Sequence, residues 1–271
     1  MIRRHGLSAR RKLGQNFLLD PTIARRIADA AGPFGSETVI EIGPGPGGLT
    51  RALLDAGAAR IVAVERDPRC VAALAELAAA YPGRLEIVEA DARTIDEAAL
   101  APAPRRIVAN LPYNVATPLL IKWLARIELF TCLTLMFQKE VANRLTALPR
   151  TGAYGRLSIM AQWRTRPHAL FDLPPGAFVP APKVTSTLVA FTPLAEPEAA
   201  ADWEALETVV AAAFNQRRKM LRSALKRLGP DAGALLTVAG IAPERRAEEL
   251  DVAEFCTLAR AWRARIEATG S

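Results

Sequence analysis

From residue 38 to about residue 193 the chain alternates short apolar, β-branched runs with helical stretches, and this alternation restricts the fold more than any other feature. The runs are Thr38-Val-Ile-Glu-Ile, Arg60-Ile-Val-Ala-Val, Leu85-Glu-Ile-Val, Arg106-Ile-Val-Ala and Cys132-Leu-Thr-Leu-Met-Phe. Helices are predicted to begin near Leu49, Pro68 and Pro118. Strands that are apolar throughout, joined by crossover helices, imply a parallel sheet covered on both faces. The alternating run 185–191 predicts an added edge strand, and four prolines within 174–182 predict a loop. A Pro/Glu/Ala-rich stretch between Thr192 and Asp202 reads as a linker. Beyond it the pattern is helical: residues 203–228, a stop at Gly229-Pro230, a short helix, and a last helix over 243–268. The expected fold is an α/β domain over residues 1–193 and a small all-helical C-terminal domain over residues 203–271.

A chain of 271 residues suits one large domain plus a smaller one. With 51% hydrophobic and 23% charged residues it has the composition of a soluble globular protein. No uncharged apolar run approaches the ~18 residues of a membrane span. The Ala-rich stretch 71–81 is shorter and is cut by Glu76, so it reads as a helix. Cys70, Cys132 and Cys256 are far apart, none in a CxxC, and only His5 and His168 accompany them. That pattern argues against zinc sites and a disulfide framework, so no metal and a reducing, cytoplasmic compartment are expected.

The net charge of +7 is carried mainly by 29 arginines against 6 lysines, and suggests a polyanionic partner. Residues 1–12 contain five Arg/Lys and no acid, and residues 1–13 read as a basic arm that orders on nucleic acid. A transit peptide is the alternative.

Glu41-Ile-Gly-Pro-Gly-Pro-Gly-Gly-Leu-Thr closes the first strand of the alternation and opens a helix. Gly43, Gly45 and Gly47 permit backbone angles and approaches that a Cβ would forbid. Glu65, at the end of the next strand, is placed to accept both hydroxyls of a ribose. The loop alone indicates an adenosine-containing cofactor, because Gly43, Gly45 and Gly48 also satisfy the dinucleotide fingerprint. Glu41 tilts the balance: a carboxylate suits the cationic methionine end of S-adenosylmethionine and repels a pyrophosphate. Asp91, after the third run, is an acceptor for the cofactor's adenine amine.

Asn110-Leu-Pro-Tyr113 follows the fourth run. Open parallel sheets bind ligands beyond the carboxyl ends of their strands. There the Asn110 oxygen and the carbonyl of Leu111 or Pro112 could accept the two hydrogens of an adenine amine and turn its lone pair outward. Tyr113 offers a face for base stacking, worth roughly 1–3 kcal/mol.

These residues resemble the ribosomal RNA adenine dimethyltransferases (KsgA/RsmA and eukaryotic relatives), with the Erm resistance methyltransferases as cousins. The motifs that carry the resemblance are Gly14-Gln-Asn-Phe-Leu18, Glu41-Ile-Gly-Pro-Gly45, Asn110-Leu-Pro-Tyr-Asn114 and Phe137-Gln-Lys-Glu-Val141. They continue with Gly155-Arg-Leu-Ser158, Phe178-Val-Pro-Ala-Pro-Lys-Val184 and Asn215-Gln-Arg-Arg-Lys219. The resemblance implies a Rossmann-like S-adenosylmethionine methyltransferase sheet. It implies that Asn16, Leu18, Gly43, Glu65, Asp91 and Asn110 contact S-adenosylmethionine, and that Tyr113 and Phe178 sandwich a flipped adenine. It also implies dimethylation of two adjacent adenines of 16S rRNA on a small-subunit precursor. Pro46 stands where the family often has leucine, and Ala90 where glycine is common. Tyr113, where the resistance enzymes usually carry phenylalanine, favours the housekeeping branch.

Within 203–228, Phe214, Leu221, Leu225 and Leu228 form one stripe, and Arg218, Arg222 and Lys226 another. With Arg217 and Lys219 these cations are the expected RNA contacts. The protein is expected to act as a monomer.

Overall fold

The computed structural model describes residues 15–229 and 232–269. The basic arm, Gly14 and Pro230 lie outside them. The chain divides into two compact units. One comprises the described residues up to Ala142 together with His168–Pro193, the other Asn143–Pro167 with the described residues from Leu194 onward.

The first unit opens with β1 (Phe17–Leu18) and α1 (Pro21–Ala31). The alternation then runs β2 (Thr38–Ile42), α2 (Gly48–Asp55), β3 (Arg60–Glu65), α3 (Pro68–Ala80), β4 (Leu85–Glu89), α4 (Glu97–Leu100), β5 (Arg105–Ala109), α5 (Tyr113–Ala125) and β6 (Leu133–Gln138). β7 (Thr165–Leu173), β8 (Phe178–Val179) and β9 (Ser186–Pro193) complete the strands. A seven-stranded sheet has the order β4-β3-β2-β5-β6-β9-β7. The first five of these strands are parallel, and β9 runs antiparallel to β6. β2 and β5 are buried at every position, as strands covered on both faces should be. β1 and β8 form a separate antiparallel ribbon, with Phe17 opposite Val179 and Leu18 opposite Phe178.

Three expectations change. The run 185–191 is a strand but an inner one, because β7 lies outside it. β7 has no apolar signature in the sequence because it is mostly exposed or half-exposed and carries Pro167, which fits an edge strand. The helix placed at Pro118 begins at Tyr113 and holds that proline inside. The proline-rich loop contains the two paired residues of β8.

The second unit contains α6's C-terminal residues (the helix spans Lys139–Leu145), α7 (Arg156–Arg164), α8 (Trp203–Asn215), α9 (Leu221–Ala224), α10 (Ala232–Val238) and α11 (Val252–Thr269). It is larger than the expected 203–271, because 143–167 joins it. Aromatic packing explains this: the Tyr154 and Phe214 rings lie 6.3 Å apart, Trp163 and Trp203 5.9 Å, and Phe214 and Phe255 5.8 Å.

The helix expected over 203–228 is broken. α8 ends at Asn215, the Lys219 amide turns back to the Gln216 carbonyl at 2.8 Å, and extended Met220 bridges antiparallel to Arg246. The Leu221 amide then reaches the Arg245 carbonyl at 2.8 Å. Pairing with a distant segment has overridden local helical periodicity. The last helix opens at Val252, not Pro243, because Asp251 and Glu254 form a reciprocal capping pair: the Glu254 amide donates to Asp251 Oδ1 at 2.8 Å, and the Asp251 amide to Glu254 Oε2 at 3.0 Å. Among the described residues no helix is long and apolar enough to cross a membrane.

Candidate active site

The strand order reverses direction at β2, which has β3 on one side and β5 on the other. Beyond the carboxyl ends of these strands opens a cleft of about 1190 Å³, its mouth included. Asn16, Leu18, Gly43, Glu65, Asp91 and Asn110, the six predicted cofactor contacts, all line it.

Its floor is the glycine loop. The Gly43 amide donates to the Val64 carbonyl at 2.9 Å, tying the loop to β3. Gly47 adopts φ +85° as the first residue before α2. At Gly48 the restriction is one of space: a Cβ there would stand 2.8 Å from the Leu18 carbonyl oxygen. Strand β1 therefore packs directly on the start of α2.

Carboxylates surround this floor. Glu65 accepts the Gly45 amide at 3.0 Å on one oxygen and the Arg66 and Asp67 amides, each at 2.8 Å, on the other. A carboxylate offers about four acceptor sites, so about one remains for a ligand. The expected grip on both ribose hydroxyls thus requires the Gly45 contact to be shared or released. Burial raises the Glu65 pKa, against the lowering effect of those three amides. Asp67 is held down to about 2 by Arg69, whose guanidinium lies 2.7 Å from it, and also accepts from Gln15 at 3.3 Å. Asp91 is likewise lowered to about 2 by hydrogen bonds from Arg93, and stands charged at the cleft edge as an acceptor.

Glu41 is different. It is 1% exposed, lines the cleft, and neither carboxylate oxygen has a hydrogen-bond partner. A pyrophosphate would add like charge to Glu41 and Glu65. An ammonium or sulfonium would instead compensate a carboxylate already stripped of water. The donor set therefore fits the methionine end of S-adenosylmethionine and disfavours a dinucleotide.

At the far wall, Asn110 Nδ2 donates to the Asn16 carbonyl at 3.3 Å. This bond fixes the amide and leaves Oδ1 as an acceptor, a role for the Asn16 backbone that the sequence did not reveal. Leu111 and Pro112 also line the cleft. Tyr113 starts α5, is half-buried, and its hydroxyl lies 2.6 Å from Ser186 Oγ. Burial raises its pKa. Nothing local in the sequence marks Ser186.

Phe178 is 3% exposed and belongs to a buried hydrophobic cluster that includes Leu18, its register partner across the β1–β8 ribbon. To stack on an adenine opposite Tyr113, its ring would have to be uncovered.

In the second unit, Arg218, Lys219, Arg222 and Lys226 are exposed. Arg217 is committed elsewhere: its guanidinium pairs with Glu248 at 2.8 Å and donates to the carbonyls of Gly152 at 2.8 Å and Thr151 at 3.1 Å. The bridge at Met220 adds exposed Arg246 beside this segment. Only its pairing with Met220, distant in sequence, identifies it.

Residues 6–263 match the model of a family described as ribosomal RNA adenine dimethylase. A ribosomal RNA small subunit methyltransferase A of Rhodospirillum rubrum is 58% identical over 271 residues, covering all of this chain and 92% of the relative. That of Paramagnetospirillum magneticum is 59% identical over 265 residues, 98% of this chain and 94% of the relative. Among solved structures, a dimethyladenosine transferase from Plasmodium falciparum superposes with a TM-score of 0.75 at 25% identity, over 94% of this chain and 98% of that one. The 23S rRNA methyltransferase ErmE gives 0.68 at 28%, over 92% and 100%. With its glycine-floored cleft walled by Asn110, Leu111 and Pro112, the chain belongs to the ribosomal RNA adenine dimethylase family.

Proposed function

We propose that this chain uses S-adenosylmethionine to dimethylate N6 of two adjacent adenines near the 3′ end of 16S rRNA, in a late small-subunit precursor. The observation that carries the reading is the Asn110 amide, held by the Asn16 carbonyl so that its oxygen is left to accept. The relatives at 58–59% identity, against 28% for the large-subunit enzyme, favour the small subunit.

The cofactor supplies an electrophilic methyl group on a sulfonium. The protein's task is to make a poor nucleophile reactive, since the adenine amine delocalises its lone pair into the ring. Asn110 Oδ1 and the carbonyl of Leu111 or Pro112 each accept one amine hydrogen. The nitrogen turns tetrahedral and its lone pair faces the cofactor side of the cleft. Tyr113, restrained by Ser186, supports the base. The methylated ammonium is acidic and loses its proton to water, so no histidine is needed. Asp91 and the remaining acceptor site of Glu65 fix the adenosine. Arg218, Lys219, Arg222, Lys226 and Arg246 hold RNA phosphates. We place the protein in the cytoplasm, as a monomer.

Asn110→Ala is expected to lower methylation of small subunits from an unmethylated strain by about 10²-fold or more. S-adenosylmethionine should still bind, as read by calorimetry. Full methylation by this variant would sink the mechanism.

A further inference from the structure

Glu41 lies within β2, a strand otherwise suited to complete burial, yet it places a carboxylate in the core. Its register neighbours, Ala63 on β3 and Val108 on β5, are apolar. From α2 it is faced by the Thr50 hydroxyl, which also makes no hydrogen bond of ordinary geometry. The charged group near it is Glu65 at the end of β3, which repels it. No cation compensates Glu41 among the described residues, and the space in front of it is the cofactor cleft. An isolated buried carboxylate avoids its desolvation penalty by taking up a proton.

We propose that Glu41 reads the charge of the cofactor: it is protonated in the free protein, releases that proton when S-adenosylmethionine binds, and regains one when S-adenosylhomocysteine occupies the cleft. The inference rests on S-adenosylmethionine being the cofactor. The proton goes to solvent on binding and returns from solvent after transfer, when the sulfur has become a neutral thioether. The α-ammonium is common to both molecules, so the difference between them isolates the sulfonium. The product then leaves a site that has lost its charge complement, which favours exchange for fresh cofactor.

Burial pushes the Glu41 pKa up to about 8; Thr50 opposes this and Glu65 reinforces it. At pH 7 the free protein would therefore hold about 0.9 proton at this group. Affinity for S-adenosylmethionine should rise with pH, by up to about tenfold per unit below 8, and level off above 8.

The test is calorimetric titration of the full chain with each ligand, in buffers of different ionisation enthalpy. The expected result is nearly one proton released per S-adenosylmethionine at pH 7 and clearly fewer per S-adenosylhomocysteine. Glu41→Gln imitates the protonated form and should bind S-adenosylmethionine without that release. Its preference for S-adenosylmethionine over S-adenosylhomocysteine should fall by about tenfold or more. Equal proton release with both ligands, or release that persists in Glu41→Gln, overturns the proposal while leaving the cofactor reading intact. Failure of S-adenosylmethionine to bind overturns both.

Discussion

Gly48 and the Leu18 carbonyl meet so closely that the loop and the first strand must be built as one piece. Gly48→Ala should push β1 away and cost roughly 1–3 kcal/mol, the usual range for overpacking. Because Asn16 and Leu18 lie on that strand's side of the cleft, affinity for S-adenosylmethionine should weaken as well. Denaturant unfolding and calorimetry measure the two effects, and wild-type values in both would show that β1 adjusts freely. At this scale the residues that line the cleft were legible, because glycine loops and acids at strand ends have local signatures. The burial of Phe178 was not, because it depends on residues distant in sequence such as Leu18, its partner across the β1–β8 ribbon. The same applies to Ser186 and to the Asn16 carbonyl, whose roles are purely spatial.

The sheet strands could be read one by one, since burial on both faces writes itself into an unbroken apolar run. Elements whose form depends on a partner could not. β7 is an exposed edge with a proline. The segment 216–220 has helical periodicity but forms a turn that ends in extended Met220, bridged to Arg246. The break separates two kinds of arginine that one helix would have made alike. Arg218→Glu with Arg222→Glu should weaken RNA binding and flatten its salt dependence, by roughly 0.7–0.9 in slope per lost phosphate contact. Arg217→Ala should instead lower the melting temperature and leave that slope unchanged, because its guanidinium holds Glu248 and the 151–152 carbonyls. An unchanged slope in the double variant would remove this segment from the interface.

At the scale of the molecule, the buried acids make stability depend on pH in an unusual direction. Glu41 binds its proton more tightly when folded than when unfolded, so its contribution is complete below about 4.5 and declines as pH rises through about 8. Asp67 and Asp91 behave oppositely: their contribution is present above about 3.8 and is lost as pH falls towards about 2. The ligand-free protein should therefore melt highest in mild acid and lose up to about 1.4 kcal/mol per pH unit towards pH 8. Calorimetric scans from pH 5 to 8 test this, and Glu41→Gln should shrink the decline, leaving the part that Glu65, also raised by burial, supplies; a decline of equal slope in the variant would assign it to other groups.

The ribbon of β1 and β8 has a consequence for how the molecule comes into being. Its first strand is synthesised before the parallel core, yet the strand it pairs with follows that core in the chain. Closing so long a loop waits on everything between. One wall of the cofactor cleft is therefore sealed late, and a half-made chain holds a sheet without a finished place for its methyl donor.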